Sequence, residues 1–161
     1  MSVNAAHDDE HLVYENAHFR VEHSRDCLVP GYLIVTAKCP VDSLADLDDG
    51  AAQLLGPTLV LVTKVLEAIV QPEVIYCARF GEEVRALHFH IFPRTSRMKS
   101  EFPSTLSLSG PVVLQWARER YRRENATDED RRSVADTIRA IRLRLKNDKQ
   151  RVDRPRKGSR G

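Results

Sequence analysis

The chain has few cysteines and no long apolar run, and each shortage excludes a class of protein. Its three cysteines, Cys27, Cys39 and Cys77, are odd in number and lack a C-x-x-C spacing. They predict reduced thiols of a cytoplasmic protein, because neither a disulfide framework nor a zinc site fits this pattern. No run reaches the roughly eighteen uninterrupted apolar residues of a transmembrane helix, so we expect no membrane span. The polar, acidic residues 1–16 lack the basic and apolar regions of a signal peptide, so we expect no secretion.

Charge is unevenly distributed along the 161 residues, although 42% hydrophobic and 30% charged residues are ordinary for one globular domain. Residues 142–161 contain nine Lys and Arg against two Asp, a charge of +7, whereas the rest of the chain has 16 basic and 21 acidic side chains, a charge of −5. The sequence therefore predicts one domain over residues 1–146 and a basic, flexible tail over residues 147–161. The tail is either a solvated end that aids solubility or a segment that contacts phosphate polymers such as nucleic acid.

Alternating and β-branched apolar residues predict about five strands. Two short candidates are centred on residues 13–14 and 19–21, where apolar and polar side chains alternate. The other candidates are the runs YLIVTAK (32–38), EVIYCARF (73–80) and VRALHFHIFPR (84–94). The GEE turn would join the last two runs into a hairpin.

Apolar stripes with helical spacing predict three helices. The first covers residues 48–70, and a Gly-Pro pair at 56–57 would kink or restart its early turns. The second begins near Pro111, and the third runs from Thr127, where an acidic variant of a capping box begins it, to about Lys146. Strands in the first two-thirds of the chain and helices afterwards predict an α+β fold around an antiparallel sheet.

Two histidines lie two residues apart in the apolar run ALHFHIFPRT, residues 86–95. If this run is a strand, its side chains alternate between the two faces of the sheet. One face would receive the apolar set Leu87, Phe89 and Ile91, and the other face Ala86, His88 and His90. The pattern is compatible with hydrogen-bonded or surface histidines, or with two metal ligands, although no nearby spacing nominates a third. It is also compatible with nucleophilic catalysis, because neutral imidazole attacks phosphorus and forms a labile phosphoramidate.

These ten residues resemble the signature of the histidine triad (HIT) family, in which three histidines alternate with apolar residues. The resemblance is strongest to the fragile histidine triad branch, where Pro-Arg follows, and the stretch LVPGYLIVTAKCPVDSLADL (28–47) is similar to the family's Pro-Gly segment. Order and spacing agree over about residues 12–97. The resemblance implies a HIT-like α+β fold, with an antiparallel sheet of about five strands and a long helix on one face. Helices over about 111–146 would follow this core.

Aligned on Pro93 and Arg94, the resemblance assigns a role to each position of the signature. His88 corresponds to the second histidine, which is the family's nucleophile. His90 corresponds to the third, on the side of the phosphate and leaving group. Ala86 stands in place of the first histidine, which orders the phosphate pocket in the family. Arg94 would neutralise charge at the edge of the pocket.

Further positions would contact the substrate, and several depart from the family pattern. Tyr32 stands where a histidine usually follows the Pro-Gly turn. Glu82 stands in place of a glutamine before the triad, and would repel phosphate unless it faces away. The ribose-contacting Asn or Asp of the second strand falls near His23 or Ser24, within one residue. The base would lie in an apolar slot near residues 19–21.

The resemblance implies a nucleotide hydrolase or nucleotidyl transferase that cleaves a dinucleoside polyphosphate or a nucleoside phosphoramidate at the α-phosphate. His88 would form a nucleotidyl-histidine intermediate that water hydrolyses, without a metal or other cofactor. One alternative is a nucleotide-binding module with weak or no turnover, because Ala86 and Glu82 degrade the site. Another is an aprataxin-like enzyme that acts on adenylated nucleic acid ends, with the basic tail holding the polymer. The family commonly forms homodimers, so we expect a homodimer whose contact includes the 48–70 helix.

Overall fold

The computed structural model describes residues 10–152, and a sheet of five antiparallel strands lies at its centre. The strands are β1 (Leu12–Glu15), β2 (Phe19–His23), β3 (Leu33–Ala37), β4 (Val74–Ala78) and β5 (His88–Arg94). Their order across the sheet is β1-β2-β3-β5-β4, and each neighbouring pair is antiparallel. The predicted α+β fold around a five-stranded antiparallel sheet is therefore confirmed. The predicted hairpin of the last two strands also forms, but β5 begins at His88, so residues 84–87 belong to its loop.

Within residues 10–152, four α-helices accompany the sheet: α1 (Asp49–Val70), α2 (Ser96–Glu101), α3 (Gly110–Arg120) and α4 (Asp128–Val152). The capping box predicted for α4 forms, because the Asp130 backbone N–H donates to Thr127 Oγ1 at 3.1 Å and the Thr127 N–H donates to Asp130 Oδ2 at 3.0 Å. Helix α4 continues beyond its predicted end to Val152, since residues 147–152 contain neither Gly nor Pro to end it. These residues were expected in the flexible tail, and residues 153–161 of that tail lie outside the described residues.

Helix α1 runs without interruption through the Gly-Pro pair that was expected to kink or restart it. Asp48 caps its first turn by accepting a hydrogen bond from the Ala51 N–H at 2.8 Å. Pro57 removes the N–H that would bond to the Gln53 carbonyl, and both residues are exposed. Water can therefore satisfy this carbonyl, and the helix continues on its buried side.

One face of the sheet forms the main core with α1 and α4. Strand residues Phe19, Val21, Val35 and Ile91 are fully buried there. Helix α1 contributes Val62, Val65 and Leu66, and α4 contributes Val134, Ile138, Ile141 and Leu145. This apolar layer fixes the strands in register, because a slip of one residue would bury the polar side chains instead.

By length and composition alone, α1 is one helix among residues 10–152 that could cross a membrane, which the sequence did not lead us to expect. Its apolar residues Val62, Val65 and Leu66 pack against the sheet. The burial of these side chains in the main core accounts for part of the apolar composition.

A second, smaller core attaches α3 to the opposite side of the sheet. Buried residues of α3, Val113, Leu114 and Ala117, cluster with Tyr32 and Phe92. The backbone N–H of Leu28 also donates to the Tyr121 carbonyl at 2.7 Å, and the backbones of Cys27 and Arg122 form an isolated antiparallel β-bridge. The end of α3 is thereby held beside the loop that follows β2.

Candidate active site

Polar side chains line the face of the sheet that is turned away from α1. The strand register forms two rows across β2, β3 and β5, one containing Glu22, Ile34 and His90 and the next containing Arg20, Thr36 and His88. The core set Leu87, Phe89 and Ile91 is buried in the α1 cluster. The alternation predicted around the two histidines is therefore confirmed.

A cavity of about 970 Å³ lies over these rows. Its floor is the sheet, including Ile34, Thr36, His88 and His90. One wall is the loop of residues 24–27 after β2, and another is the loop of residues 80–86 before β5. The end of α3 and the residues after it close a third side: Arg118, Glu119, Arg122 and Glu124. Segments far apart in the sequence thus meet around the two histidines.

Three hydrogen bonds assign the protons of both imidazole rings. His88 Nδ1 lies 2.7 Å from the Ala86 carbonyl oxygen, and because a carbonyl only accepts, His88 carries its proton on Nδ1. Its Nε2 then has a free lone pair, and the His90 Nε2–H donates to it at 3.1 Å. His90 Nδ1 in turn accepts from the Tyr32 hydroxyl at 2.8 Å. The chain from Tyr32 through His90 to Ala86 leaves His88 Nε2 as the nucleophilic nitrogen.

This assignment requires His90 to be neutral, and its surroundings favour the neutral ring. Burial lowers the pKa of His90 to about 4, and His88 and Arg118 act in the same direction. Burial raises the pKa of Tyr32 to about 12, so its hydroxyl keeps its proton. Near pH 7 the pair is therefore uncharged, and His90 acts as a hydrogen-bond donor without being protonated.

Ala86 is exposed beside the cavity, immediately before the strand. Its methyl group offers no hydrogen bond to a ligand. Its carbonyl oxygen nevertheless orients His88, as described above. Ala86 therefore contributes to the site through its backbone carbonyl and not through its side chain.

The polar groups of the two residues expected to contact ribose are engaged within the protein. His23 is buried, and its ring nitrogens lie 2.8 and 3.0 Å from the carbonyl oxygens of Ser24 and Val29. Burial lowers the pKa of His23 to about 4, although both carbonyls favour the protonated ring. The Ser24 hydroxyl accepts from the Cys27 N–H at 3.3 Å. The carboxylate that β2 directs to the cavity belongs to Glu22, one residue earlier.

Two other expectations concern residues that lie away from the cavity lining. Arg94 does not lie among the residues around the cavity. It is the last residue of β5, and its guanidinium pairs with Glu73 at 3.4 Å. The base slot was expected near residues 19–21, and Phe19 and Val21 are fully buried in the α1 core. Strand alternation explains this, since Arg20 and Glu22 occupy the positions on the cavity face.

Three residues around the cavity were not among those expected from the sequence, and two of them, Phe80 and Arg118, have no signal in its pattern. Phe80, which is exposed, places its ring centroid 5.5 Å from that of His90. Arg118 belongs to α3, outside the segment that resembles the family signature. Glu22 could have been found by alternation from Val21, had the register of β2 been known. Only the folded structure brings these residues next to His88.

Carboxylates outnumber arginines in the lining of the cavity. The arginines are Arg25, Arg118 and Arg122, and the carboxylates are Glu22, Asp26, Glu82, Glu83, Glu119 and Glu124. Glu82, which was expected to repel phosphate unless it faces away, is exposed in the loop before β5 and borders the cavity. Within the described part of the chain, no group of three or more His, Cys, Asp or Glu could hold a metal ion. Among the described residues around the cavity, the arginines are permanently charged cations that a phosphate could contact.

Comparison with family models gives a match to the HIT domain over residues 5–97, more than half of the chain. The chain belongs to the HIT family. The matched range includes β5 with His88 and His90. A search of curated proteins finds no match.

Solved structures of HIT proteins share the fold at low sequence identity. A histidine triad protein from Marinobacter aquaeolei has a TM-score of 0.58 and 16% identity, covering 86% of this chain and 93% of that one. A hypothetical histidine triad nucleotide-binding protein from Sulfolobus tokodaii has a TM-score of 0.57 and 18% identity, with coverage of 84% and 85%. Diadenosine triphosphate hydrolase from Plasmodium falciparum, in complex with cyclomarin A, has a TM-score of 0.58 and 12% identity, with coverage of 87% and 79%.

Proposed function

We propose that this HIT protein is a nucleotide hydrolase or nucleotidyl transferase that cleaves a dinucleoside polyphosphate or a nucleoside phosphoramidate at the α-phosphate. The observation that carries the proposal is the orientation of His88. Its Nδ1–H donates to the Ala86 carbonyl at 2.7 Å, so Nε2 carries the lone pair that would attack phosphorus once the substrate takes over the hydrogen bond from His90.

The first chemical step forms a bond from His88 Nε2 to the α-phosphorus. The bond from phosphorus to the bridging oxygen or nitrogen breaks, and its electron pair leaves with the departing group. The His90 Nε2–H, which donates to His88 Nε2 at 3.1 Å in the free site, is then available to an oxygen of the phosphate or leaving group. Tyr32 holds the proton of His90 on Nε2 by donating to Nδ1. Water hydrolyses the nucleotidyl-histidine in the second step.

The remaining cavity would hold the nucleoside. Glu22 of β2 borders the cavity, and its carboxylate pairs with Arg20 at 3.3 Å and Arg25 at 2.9 Å; its remaining lone pairs are suited to accept hydrogen bonds from ribose hydroxyl groups. Ile34 on the floor and the exposed Phe80 on the loop before β5 provide apolar surface for the base. Specificity for one base over another would depend on these loops.

A nucleotide-binding module with weak turnover is the second candidate, and the charge of the cavity favours it. Six carboxylates and three arginines line the cavity, and Ala86 offers no donor to a phosphate. Such a protein would bind nucleotides and release products very slowly. Turnover therefore distinguishes the two candidates, whereas binding alone does not.

We also propose that α1 joins two copies of the chain. Only 22% of its most apolar 18-residue window is buried, and the Val60 side chain is 53% exposed. An apolar surface of this kind is typical of a protein contact. The homodimer should give twice the mass of the chain in light scattering, and Val60→Arg should reduce that mass to one chain.

The enzymatic proposal is tested with a panel of dinucleoside polyphosphates and nucleoside phosphoramidates. Products are separated by chromatography, and turnover is compared with that of His88→Ala. His18→Ala is the matched control, because His18 lies outside the cavity near the start of α1. Turnover of a panel member that depends on His88 and not on His18 supports the proposal. Nucleotide binding without turnover by the wild type would favour the binding module.

A further inference from the structure

Arg118 is held at the cavity by the packing of α3. Its neighbour Ala117 is fully buried, and Leu114, one turn earlier, is also buried. The Cys27 Sγ–H lies 3.6 Å from the Ala117 carbonyl oxygen, which ties this turn to the loop after β2. The side chain of Arg118 is exposed and borders the cavity. The backbone is therefore fixed while the guanidinium faces the space above the sheet.

Among the three arginines around the cavity, Arg118 differs in its ion pairing. Arg25 pairs with Glu22 at 2.9 Å, and Arg122 pairs with Glu119 at 2.6 Å. Within residues 10–147, whose side chains are described, Arg118 has no carboxylate at ion-pair distance. Its charge is therefore available to an anionic ligand.

The charge of Arg118 also acts on the residues that orient the nucleophile. Burial raises the pKa of Tyr32 and outweighs the opposite effect of Arg118, whereas at His90 burial, His88 and Arg118 all lower the pKa. Tyr32 and His90 are hydrogen-bonded to each other at 2.8 Å. Arg118 borders the same cavity as Tyr32 and His90.

We propose that Arg118 binds the non-bridging oxygens of the α-phosphate and supplies the donor that position 86 lacks. This inference rests on the proposed function, since it names the phosphate-binding residue of the same site. As His88 Nε2 bonds to phosphorus and the leaving group departs with its electron pair, negative charge collects on the oxygens of the transferring phosphoryl group. A guanidinium can donate two parallel hydrogen bonds to such oxygens.

A general structural role predicts a different pattern of effects. Arg118 and Arg120 both lie in the last turn of α3, where a positive charge stabilises the helix end. Arg120 pairs with Glu101 at 3.2 Å and does not border the cavity. Arg120→Gln is therefore the matched control for Arg118→Gln, with the same helix, turn and change of charge.

The first measurement is kcat/KM on the best substrate of the panel. Arg118→Gln should lower it roughly a hundredfold, the size of one well-placed donor, and Arg118→Lys should recover part of the loss. Arg120→Gln should remain within about twofold of the wild type, as expected for a residue away from the site. Equal activities of Arg118→Gln and Arg120→Gln would overturn the inference.

The second measurement does not require turnover. Calorimetry measures the Kd of AMP, GMP, CMP and UMP and of the corresponding nucleosides. The proteins compared are the wild type, Arg118→Gln and Arg120→Gln. Arg118→Gln should raise the Kd of the best monophosphate roughly tenfold, about the loss of one charge-assisted hydrogen bond, and leave the Kd of the nucleoside unchanged. An equal loss for monophosphate and nucleoside would show a structural role and contradict the inference. If the wild type turns over no substrate, the proposed function fails, and these affinities still decide the role of Arg118.

Discussion

The two faces of the sheet use the same strands in opposite ways. On the α1 side, β2, β3 and β5 present fully buried apolar side chains such as Val21, Val35 and Ile91. On the cavity side, the intervening positions present Glu22, Thr36 and His88. Packing determines the first face, so changes there should affect stability. The second face is determined by hydrogen bonding and charge, so changes there should affect chemistry while the fold persists.

The largest expected effect is on the cavity face. His88→Ala should lower turnover at least about a thousandfold, because nucleophilic catalysis has no substitute in the site. Nucleotide binding should change by roughly 1–2 kcal/mol, the scale of one lost hydrogen bond to a charged group. The measurements are kcat and the Kd of a nucleoside monophosphate, with His18→Ala as the control. Near-wild-type turnover by His88→Ala would remove the assigned mechanism.

A substitution on the opposite face should produce the converse result. Leu66 of α1 is fully buried against the sheet, so Leu66→Ala should lower the free energy of unfolding by about 2–5 kcal/mol. The kcat/KM of the folded fraction should stay close to that of the wild type. Urea denaturation and an activity assay on the same sample make the comparison. A small change in stability would mean that the α1 core repacks around the lost side chain.

Much of the apolar face could be predicted from the sequence, because a single rule, alternation, applies to it. Leu87, Phe89 and Ile91 were assigned correctly by this rule. It also placed His88 and His90 on one face, and the capping box at Thr127 marked the start of α4. Burial and local hydrogen bonding act within a few residues, which is why they leave a pattern.

The rest of the site could not be predicted, because it depends on contacts between distant segments. Arg118 reaches the cavity only after α3 packs on Tyr32 and Phe92. Arg94 was misplaced because its pairing with Glu73 depends on the register of β4 and β5. The apolar residues Phe19 and Val21, near which the base slot was expected, face the α1 core, and Glu22 of the same strand borders the cavity. Small uncertainties in register move a side chain to the opposite face of the sheet.

Acid should destabilise the protein through two buried histidines, one at the end of β2 and one in the cavity. The pKa of His23 and that of His90 are each about 4 in the folded chain, against 6.5 in the unfolded one. The unfolded chain therefore binds more protons between these values, and stability that is full above pH 6.5 is lost as the pH falls towards 4. At pH 5 each of the two histidines should lower the free energy of unfolding by roughly 2 kcal/mol relative to neutral pH.

This pH dependence is measured by urea denaturation at pH 7.5 and pH 5. The wild type should lose more stability over this interval than His90→Gln, because that variant has one fewer buried imidazole to protonate. His18→Gln is the control, since His18 is only partly buried beside Asp48. Equal losses for wild type and His90→Gln would show that His90 is not held neutral by its surroundings.

The smallest expected effect concerns the hydroxyl group of Tyr32. Tyr32→Phe removes the donor to His90 Nδ1, so the neutral ring is free to carry its proton on the other nitrogen. We expect kcat/KM to fall about tenfold, equivalent to about 1.4 kcal/mol, within the range of one hydrogen bond. Tyr76→Phe is the control, because Tyr76 stacks on Phe92 away from the histidines. A similar fall in both variants would indicate a general loss of packing around Phe92.

The most direct test of the account is the covalent intermediate on His88. The protein is mixed with the best substrate of the panel, quenched rapidly without acid, digested and analysed by mass spectrometry. The account predicts one added nucleotidyl group on the peptide that contains His88, in the wild type and in His18→Ala. His88→Ala should carry none. A nucleotidyl group on another residue, or its persistence in His88→Ala, would contradict the account.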